Sequence, residues 1–147
     1  MQARYAKDIG IDPAEGALLA RTIRAGSKSF DLASMLLPMR YRLPARALYA
    51  FCRASDDAVD EAGPGTHAAA SLRRRLDAIY DGKPGHALED RTFALVAHHH
   101  RIPHEIPAAL IEGFEWDEAG RSYETLEDLL DYAARVAATV GVMMCLV

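Results

Sequence analysis

One short segment of this chain carries two carboxylates, a guanidinium and a phenol at spacings that could bind a metal ion and an anion. On an α-helix that turns 100° per residue, Tyr49, Arg53, Asp56 and Asp60 fall within an arc of roughly 60°. Carboxylate oxygens are typical ligands of a hard divalent cation, and a guanidinium binds anions such as phosphate. The pattern therefore indicates chemistry on a diphosphate.

The remaining positions of this segment supply a packing face and an alternative interpretation. The packing face comprises Leu48, Phe51, Cys52, Ala58 and Val59. Asp57 and Glu61 add further charge, so the alternative is a solvated acidic helix end. Acidic side chains near a helix C-terminus oppose the helix dipole, which favours the functional interpretation. Because two aspartates cannot fill an octahedral Mg²⁺ shell, the metal is expected to bridge protein and diphosphate, with a second acidic motif elsewhere.

Composition predicts an all-α protein that acts on something other than nucleic acid. Half of the residues are hydrophobic and only 7% are aromatic, alanine is abundant, and no β-branched run alternates with polar residues. A net charge of −4 gives no support to nucleic-acid binding. Cys52 and Cys145 are interpreted as small buried side chains in a reducing compartment. No signal peptide and no transmembrane run is evident, so a cytoplasmic location is expected.

Helix-breaking and helix-capping residues divide the chain into about seven helical segments. Asp12, Pro13 and Glu15 predict an N-cap, a proline at N1 and a capping box for the first helix. Pro44 is expected to open the helix that carries the aspartates, and the sequence Gly-Pro-Gly at 63–65 to close it. Thr66 is expected to cap the next helix, and the run Thr-Leu-Glu-Asp at 125–128 resembles a capping box that opens the last one. The predicted helices are 13–25, 27–37, 44–62, 66–80, 90–100, from 104 or 107 to about 120, and from 125 onward.

The last predicted helix has no stop signal. Residues 136–147 carry no charge, and the helical pattern is unbroken at Val147. An apolar helix needs partners that bury it. The chain is therefore predicted to be a truncated N-terminal portion, residues 1–147, of a single larger all-α domain. A frayed natural C-terminus is the alternative.

Three further groups of residues are less informative on their own. The Gly-Ser-Lys-Ser turn at 26–29 could offer N–H groups and hydroxyls to a phosphate, but simple N-capping by Ser27 or Ser29 is the preferred interpretation without context. The histidines at 98–100 and His104 are expected on the surface, because three consecutive helical residues cannot face one zinc ion. Arg121, Tyr123 and Glu124 are loop residues that decide nothing alone.

Taken in order, these segments resemble the squalene/phytoene synthase family, whose members join two prenyl diphosphates head to head. Residues 27–30 (Ser-Lys-Ser-Phe) resemble its S-x-S-F segment, and Leu37-Pro38 follows. Residues 49–60 resemble its first aspartate-rich motif, and residues 132–141 resemble its Y-C-x-x-V-A-G-T-V-G helix. The run from Gly113 to Thr125 looks most like bacterial phytoene synthases.

The resemblance implies an isoprenoid-synthase-type helical bundle and a Mg²⁺-dependent transferase, with Mn²⁺ as an alternative metal. It implies condensation of two geranylgeranyl diphosphates to phytoene through a cyclopropylcarbinyl diphosphate, as in carotenoid biosynthesis. Asp56 and Asp60 would bind the metal, Arg53, Ser27 and Ser29 the diphosphate, and Tyr49 would orient that shell. The prenyl cavity would be lined by Phe30, Val136, Ala137, Val140 and Gly141. Lipid substrates are compatible with peripheral contact at the inner membrane face, without an anchor.

Departures from the family pattern leave alternatives open. Gly26 stands where many members have His, and Ala134 where several have a second Tyr. The family's second aspartate-rich motif is expected to lie downstream and to be absent here, with no other D-x-x-x-D pair after Asp60, so the chain alone is expected to be inactive. One alternative is squalene or hydroxysqualene synthesis from farnesyl diphosphate. The other is a non-catalytic scaffold or assembly protein of the same fold.

Overall fold

A computed structural model describes residues 9–63 and 65–147 of the chain, apart from the side chain of Met39. Within these ranges the regular structure is entirely helical and contains no strand, so the all-α prediction is confirmed. The N-terminal residues 1–8 and the proline of the predicted Gly-Pro-Gly terminator lie outside the described residues. The helices are α1 Pro13–Gly26, α2 Lys28–Leu36, α3 Met39–Ala62, α4 Ala68–Tyr80, α5 Leu88–His100, α6 Glu105–Glu118, α7 Leu126–Ala133 and α8 Thr139–Leu146, with a π-helical segment Ala134–Ala138 between α7 and α8.

The aspartate helix α3 lies at the centre of the bundle. It packs most extensively on α5 and α1, while α4 packs on α6, and α6 contacts the π-helical segment. Phe51 of α3 stacks on Phe93 of α5 with ring centroids 4.0 Å apart, and both side chains are buried. A core of this kind fixes the rotation of α3 about its axis, and therefore fixes which side chains face away from α5.

The predicted start of α3 at Pro44 is wrong. The helix begins at Met39, with Pro38 at the N-cap and Pro44 inside it. Pro44 has no N–H to donate to the carbonyl one turn earlier, but it is buried beside Leu43 in the bundle. Arg42 also binds the carbonyls of Ser34 and Leu37 at the end of α2. Burial and these bonds outweigh one missing helix bond.

The predicted Thr66 cap is also wrong, because a side chain from another helix caps α4. His67 is the N-cap residue, in a left-handed conformation with φ of 59°. Glu118 at the end of α6 accepts a hydrogen bond from the Ala68 N–H at 2.7 Å and one from the Thr66 hydroxyl at 3.1 Å. Local sequence cannot reveal a cap supplied by a residue 50 positions away.

The capping box at Thr125 is confirmed, with Asp128 as the reciprocal partner. The helical stretch that follows, Leu126–Leu146, is 21 residues long and apolar enough to cross a bilayer by length and composition, a property that core helices share. In its middle, Arg135 lies 3.1 Å from Glu112 of α6. The widened π turn was not predicted, because no residue type marks it. Cys145 is exposed, contrary to the expectation that it is buried.

Candidate functional site

The exposure of the residues along α3 follows the predicted helical phase. Phe51 is 2% exposed and Val59 is 6% exposed, and they belong to the core. Cys52 is half-buried, and burial, followed by the negative charge of Asp56, raises the pKa of its thiol to about 12. Tyr49 and Asp56 are half-buried, and Arg53 and Asp60 are exposed. The four predicted site residues therefore lie on the face of α3 that the core leaves accessible.

Negative charge dominates this face. Arg53 binds Asp57 through two contacts, Nη2 to Oδ1 at 2.6 Å and Nε to Oδ2 at 3.1 Å, and it lies 3.6 Å from Asp56. Burial raises the pKa of Asp56, and the charge of Asp60 raises it further, while Arg53 lowers it. Three carboxylates, those of Asp56, Asp57 and Asp60, therefore share this face with one guanidinium. An all-oxygen donor pair of this kind suits a hard divalent cation.

Tyr49 connects α3 to the corner between α1 and α2. Its ring stacks on Phe30 with centroids 4.7 Å apart and an interplanar angle of 19°. Its hydroxyl reaches the backbone of Gly26, at the end of α1. The aspartate helix and the Ser-Lys-Ser-Phe segment, which are separate in sequence, are therefore joined at one place in the structure.

Ser27 caps α2, so the N-capping interpretation of this turn is confirmed. The Ser27 hydroxyl oxygen accepts a hydrogen bond from the Phe30 N–H at 3.2 Å, and it lies 3.3 Å from the hydroxyl of Ser29. The corner is held by the buried Asp31, whose carboxylate lies 3.2 Å from Nε of Arg24 and 3.6 Å from Nη2 of Arg46. The cap uses only the oxygen of Ser27, so one hydroxyl hydrogen of the Ser27–Ser29 pair remains available to a further acceptor.

A second helix, α6, contacts α3 and carries an acidic residue to which sequence reasoning did not assign a role. Asp117, at the end of α6, accepts a hydrogen bond from the Tyr132 hydroxyl at 2.8 Å. The charge of Asp117 contributes to raising the pKa of Asp56. Burial and the hydrogen bond to Asp117 raise the pKa of Tyr132, and the charge of Asp56 adds to this effect. Both residues lie in segments that carry the family resemblance, which was the only signal in the sequence.

The residues expected to line a prenyl cavity have different surroundings. Phe30 is half-buried against Tyr49, and Val136 is half-buried against Gly113 of α6. Val140 packs on the edge of the core. Ala137 and Gly141 are exposed, and a Cβ atom at Gly141 would meet nothing within 4 Å. The small residues thus lie together on an open face of the last helical stretch.

No group of three or more metal-ligating side chains exists within the described ranges. His98 and His99 are exposed and line a cavity of about 1010 Å³ among α1, α4 and α5, of which none of the predicted site residues is part. The expectation that no D-x-x-x-D pair follows Asp60 is wrong, because Asp77 and Asp81 also stand four residues apart. Asp77 lies 3.0 Å from His104. Asp56 and Asp60 remain the candidate metal ligands.

The arrangement of the chain matches one protein family. The family model described as squalene/phytoene synthase matches residues 23–147. A phytoene synthase of Rhodobacter capsulatus is 56% identical over 126 residues, which cover 84% of this chain and 37% of that protein. A phytoene synthase of Cereibacter sphaeroides is 53% identical over 133 residues, which cover 84% of this chain and 38% of that protein.

Solved structures show the same fold. A dehydrosqualene synthase in complex with a ligand superposes with a TM-score of 0.82 at 28% identity, over 95% of this chain and 48% of that one. A squalene synthase from Alicyclobacillus acidocaldarius superposes with a TM-score of 0.77 at 27% identity, over 89% of this chain and 51% of that one. The chain thus spans less than two fifths of the length of these two curated relatives, and about half of these two structures.

Proposed function

The chain belongs to the squalene/phytoene synthase family, and from this premise we propose that the protein condenses two geranylgeranyl diphosphates head to head to phytoene. The reaction would pass through a cyclopropylcarbinyl diphosphate, as the family resemblance implies. The relatives named as phytoene synthases, at 56% and 53% identity, support this substrate and product. The protein is accordingly a prenyltransferase of carotenoid biosynthesis.

The observation that carries the proposal is the pairing of two faces across one site. Asp56 and Asp60 lie beside Arg53 on the accessible face of α3, and Asp117 with Tyr132 lies close enough to influence the pKa of Asp56. Carboxylates, a cationic guanidinium and a phenol around one position suit a metal–diphosphate pair. A face evolved only for solubility would not require Asp56 to be half-buried beside other carboxylates.

Asp56 and Asp60 are the residues that would hold Mg²⁺, or Mn²⁺ in its place. The group of carboxylates that shares this face with a single guanidinium supports the fit. The bound ion would act as a Lewis acid that stabilises the charge of the departing diphosphate. Two carboxylates leave most of an octahedral shell open, so diphosphate oxygens, water and ligands from elsewhere would complete it.

Other side chains of this face would bind and orient the diphosphate. Arg53 would exchange its contact with Asp57 for a diphosphate oxygen, since a guanidinium binds phosphate with two parallel hydrogen bonds. Ser27 and Ser29 would donate hydroxyl hydrogens from the α1–α2 corner. Tyr49 would keep the α1–α2 corner next to α3 through the stacking of its ring on Phe30.

An apolar wall is needed beside the charged face, because a carbocation formed from the prenyl chain must be shielded from water. We assign this wall to Phe30 and to residues of the last helical stretch, which are Val136, Ala137, Val140 and Gly141. The small side chains leave space for a prenyl chain. The partners of the protein are therefore prenyl diphosphates, and we propose a cytoplasmic location with peripheral contact at the inner membrane face.

The test is product formation in a chimaera in which this chain replaces the matching part of the Rhodobacter capsulatus relative. Phytoene formed from geranylgeranyl diphosphate and Mg²⁺ would support the proposal. Squalene or hydroxysqualene formed from farnesyl diphosphate, with or without a nicotinamide reductant, would favour the alternative enzymes. Absence of any product, although the unaltered relative is active in the same assay, would favour the scaffold.

A further inference from the structure

Trp116 on α6 holds two guanidinium groups over its ring. The guanidinium carbon of Arg121 lies 3.9 Å from the ring centroid, and that of Arg135 lies 4.1 Å from it. Arg121 belongs to the loop after α6, and Arg135 belongs to the π-helical segment after α7. The ring therefore ties α6, the loop after it and the π-helical segment together by cation–π contacts.

These contacts lie directly beside the Asp117–Tyr132 hydrogen bond. Trp116 precedes Asp117 on α6. Arg135 follows Tyr132 by three residues, and this spacing places Tyr132 and Arg135 on one side of the last helical stretch. The Trp116–Arg135 contact and the Asp117–Tyr132 bond are therefore two neighbouring links between α6 and the last helical stretch, Leu126–Leu146. A change in the first link would alter the distance across the second.

A third link sets how closely the two elements approach. A Cβ atom at Gly113, one turn before Trp116, would lie 2.6 Å from Cγ1 of Val136 and 3.1 Å from Cβ of Arg135. Only glycine accommodates this approach without displacement. The π-helical segment Ala134–Ala138 begins directly after α7, so the widened turn carries Arg135 to the ring of Trp116.

We propose that Trp116 and Arg135 are positioning residues that set the place of the Asp117–Tyr132 pair, whose helix α6 contacts the aspartate helix α3. The inference rests on the proposed function, because it assigns to this pair a position against the diphosphate. Neither Trp116 nor Arg135 is required to touch substrate. Their substitution should therefore reduce the turnover number more than it reduces substrate affinity.

The experiment compares four variants in the Rhodobacter capsulatus chimaera. Trp116→Leu removes the ring, Arg135→Met removes the guanidinium but keeps a straight side chain, and Trp116→Phe keeps an aromatic ring. Arg73→Lys is the control. Arg73 of α4 lies 2.8 Å from Glu115, which precedes Trp116 on α6, but Arg73 takes no part in the cation–π contacts of the Trp116 ring. Each variant is measured by kcat, by KM for the prenyl diphosphate and by a crystal structure.

We expect Trp116→Leu and Arg135→Met to lower kcat by about 10–100-fold with little change in KM, since small displacements have effects of this order. In their crystal structures the Tyr132–Asp117 hydrogen bond should be lost. Trp116→Phe should restore most of the activity and the bond, and Arg73→Lys should match the parent. An intact bond in both Trp116→Leu and Arg135→Met, or an unchanged kcat in both, would overturn the inference. If the parent chimaera forms no phytoene, the proposed function fails, while the crystal structures still decide the positioning role.

Discussion

The hydroxyl of Tyr49 lies so close to Gly26 that a Cβ atom on residue 26 would stand 2.9 Å from the Tyr49 oxygen. Real Cβ atoms do not approach an oxygen this closely, so glycine at this position and tyrosine on α3 depend on each other. Gly26 is also the position at which the family resemblance leads to the expectation of a histidine. Glycine at position 26 leaves space for the hydroxyl of Tyr49, whose ring also stacks on Phe30.

Gly26→Ala should destabilise the protein even though alanine favours helices. Overpacking against Tyr49 costs about 1–3 kcal/mol, and the helix propensity of alanine returns about 0.5–1 kcal/mol, so we expect a net loss of about 1 kcal/mol. Thermal unfolding followed by circular dichroism measures it. Tyr49→Phe in the same chain should restore stability, because the nearest ring carbons lie 3.7 Å from the added Cβ position.

Gly16→Ala is the matched control for this prediction. It lies in the same helix, and its nearest neighbour would be Cδ1 of Leu43 at 3.5 Å, an ordinary contact. We expect it to stabilise the protein by about 0.5–1 kcal/mol. If Gly26→Ala proved as stable as Gly16→Ala, the dependence of Gly26 on Tyr49 would be refuted.

Asp56→Asn and Asp60→Asn should each lower the turnover number of the chimaera by at least about 10²-fold, because each removes an anionic oxygen with little change in volume. The helical circular dichroism spectrum should stay unchanged. Glu61→Gln, an exposed carboxylate in the same helix, serves as the control and should retain the parent activity. Full activity of either aspartate variant at saturating Mg²⁺ would remove both residues from the metal site.

The two cysteines should react very differently with iodoacetamide in the folded protein. Cys145 is exposed. Burial and the charge of Asp56 raise the pKa of Cys52 to about 12, so little of the reactive thiolate is present at neutral pH. Mass spectrometry of digested protein should show Cys145 modified first and Cys52 modified only after denaturation. Equal rates in the folded state would mean that α3 is rotated relative to this description.

Residues 1–147 expressed alone should form no phytoene, although the chimaera does. A second acidic motif was not recognised in the chain, and several apolar side chains of the last helical stretch are exposed, among them Leu126 at 72%, Leu130 at 60% and Val142 at 46%. The isolated chain should therefore bind a hydrophobic dye and self-associate. Phytoene produced by the purified 147 residues would contradict this expectation.

The sequence predicted the features that depend on local pattern. The phase of α3, with Phe51 and Val59 inward, followed from helical geometry, and the caps at Asp12 and Thr125 followed from residue type. Prediction from the sequence failed where residues far away along the chain determine where a helix starts or how it is capped. Pro44 is accommodated by burial, and α4 is capped by Glu118 from another helix.

The site shows the same division between local and distant determinants. The aspartate spacing on α3 could be read directly from the sequence. The nearness of Asp117 to Asp56 could not, because it depends on how α3 and α6 pack together. Likewise, the Trp116–Arg135 contact depends on a π-helical turn that no residue type marks.

The central claim is that Asp56 and Asp60 together hold a divalent cation that faces a diphosphate. The most direct measurement is a crystal structure of the chimaera with Mn²⁺ and inorganic pyrophosphate, recorded at a wavelength at which manganese scatters anomalously. The account predicts an anomalous peak within direct ligand distance of oxygens from both Asp56 and Asp60, with pyrophosphate oxygens on the same ion and Arg53 turned from Asp57 toward the pyrophosphate. Manganese bound away from these two carboxylates, with both left without metal, would contradict it.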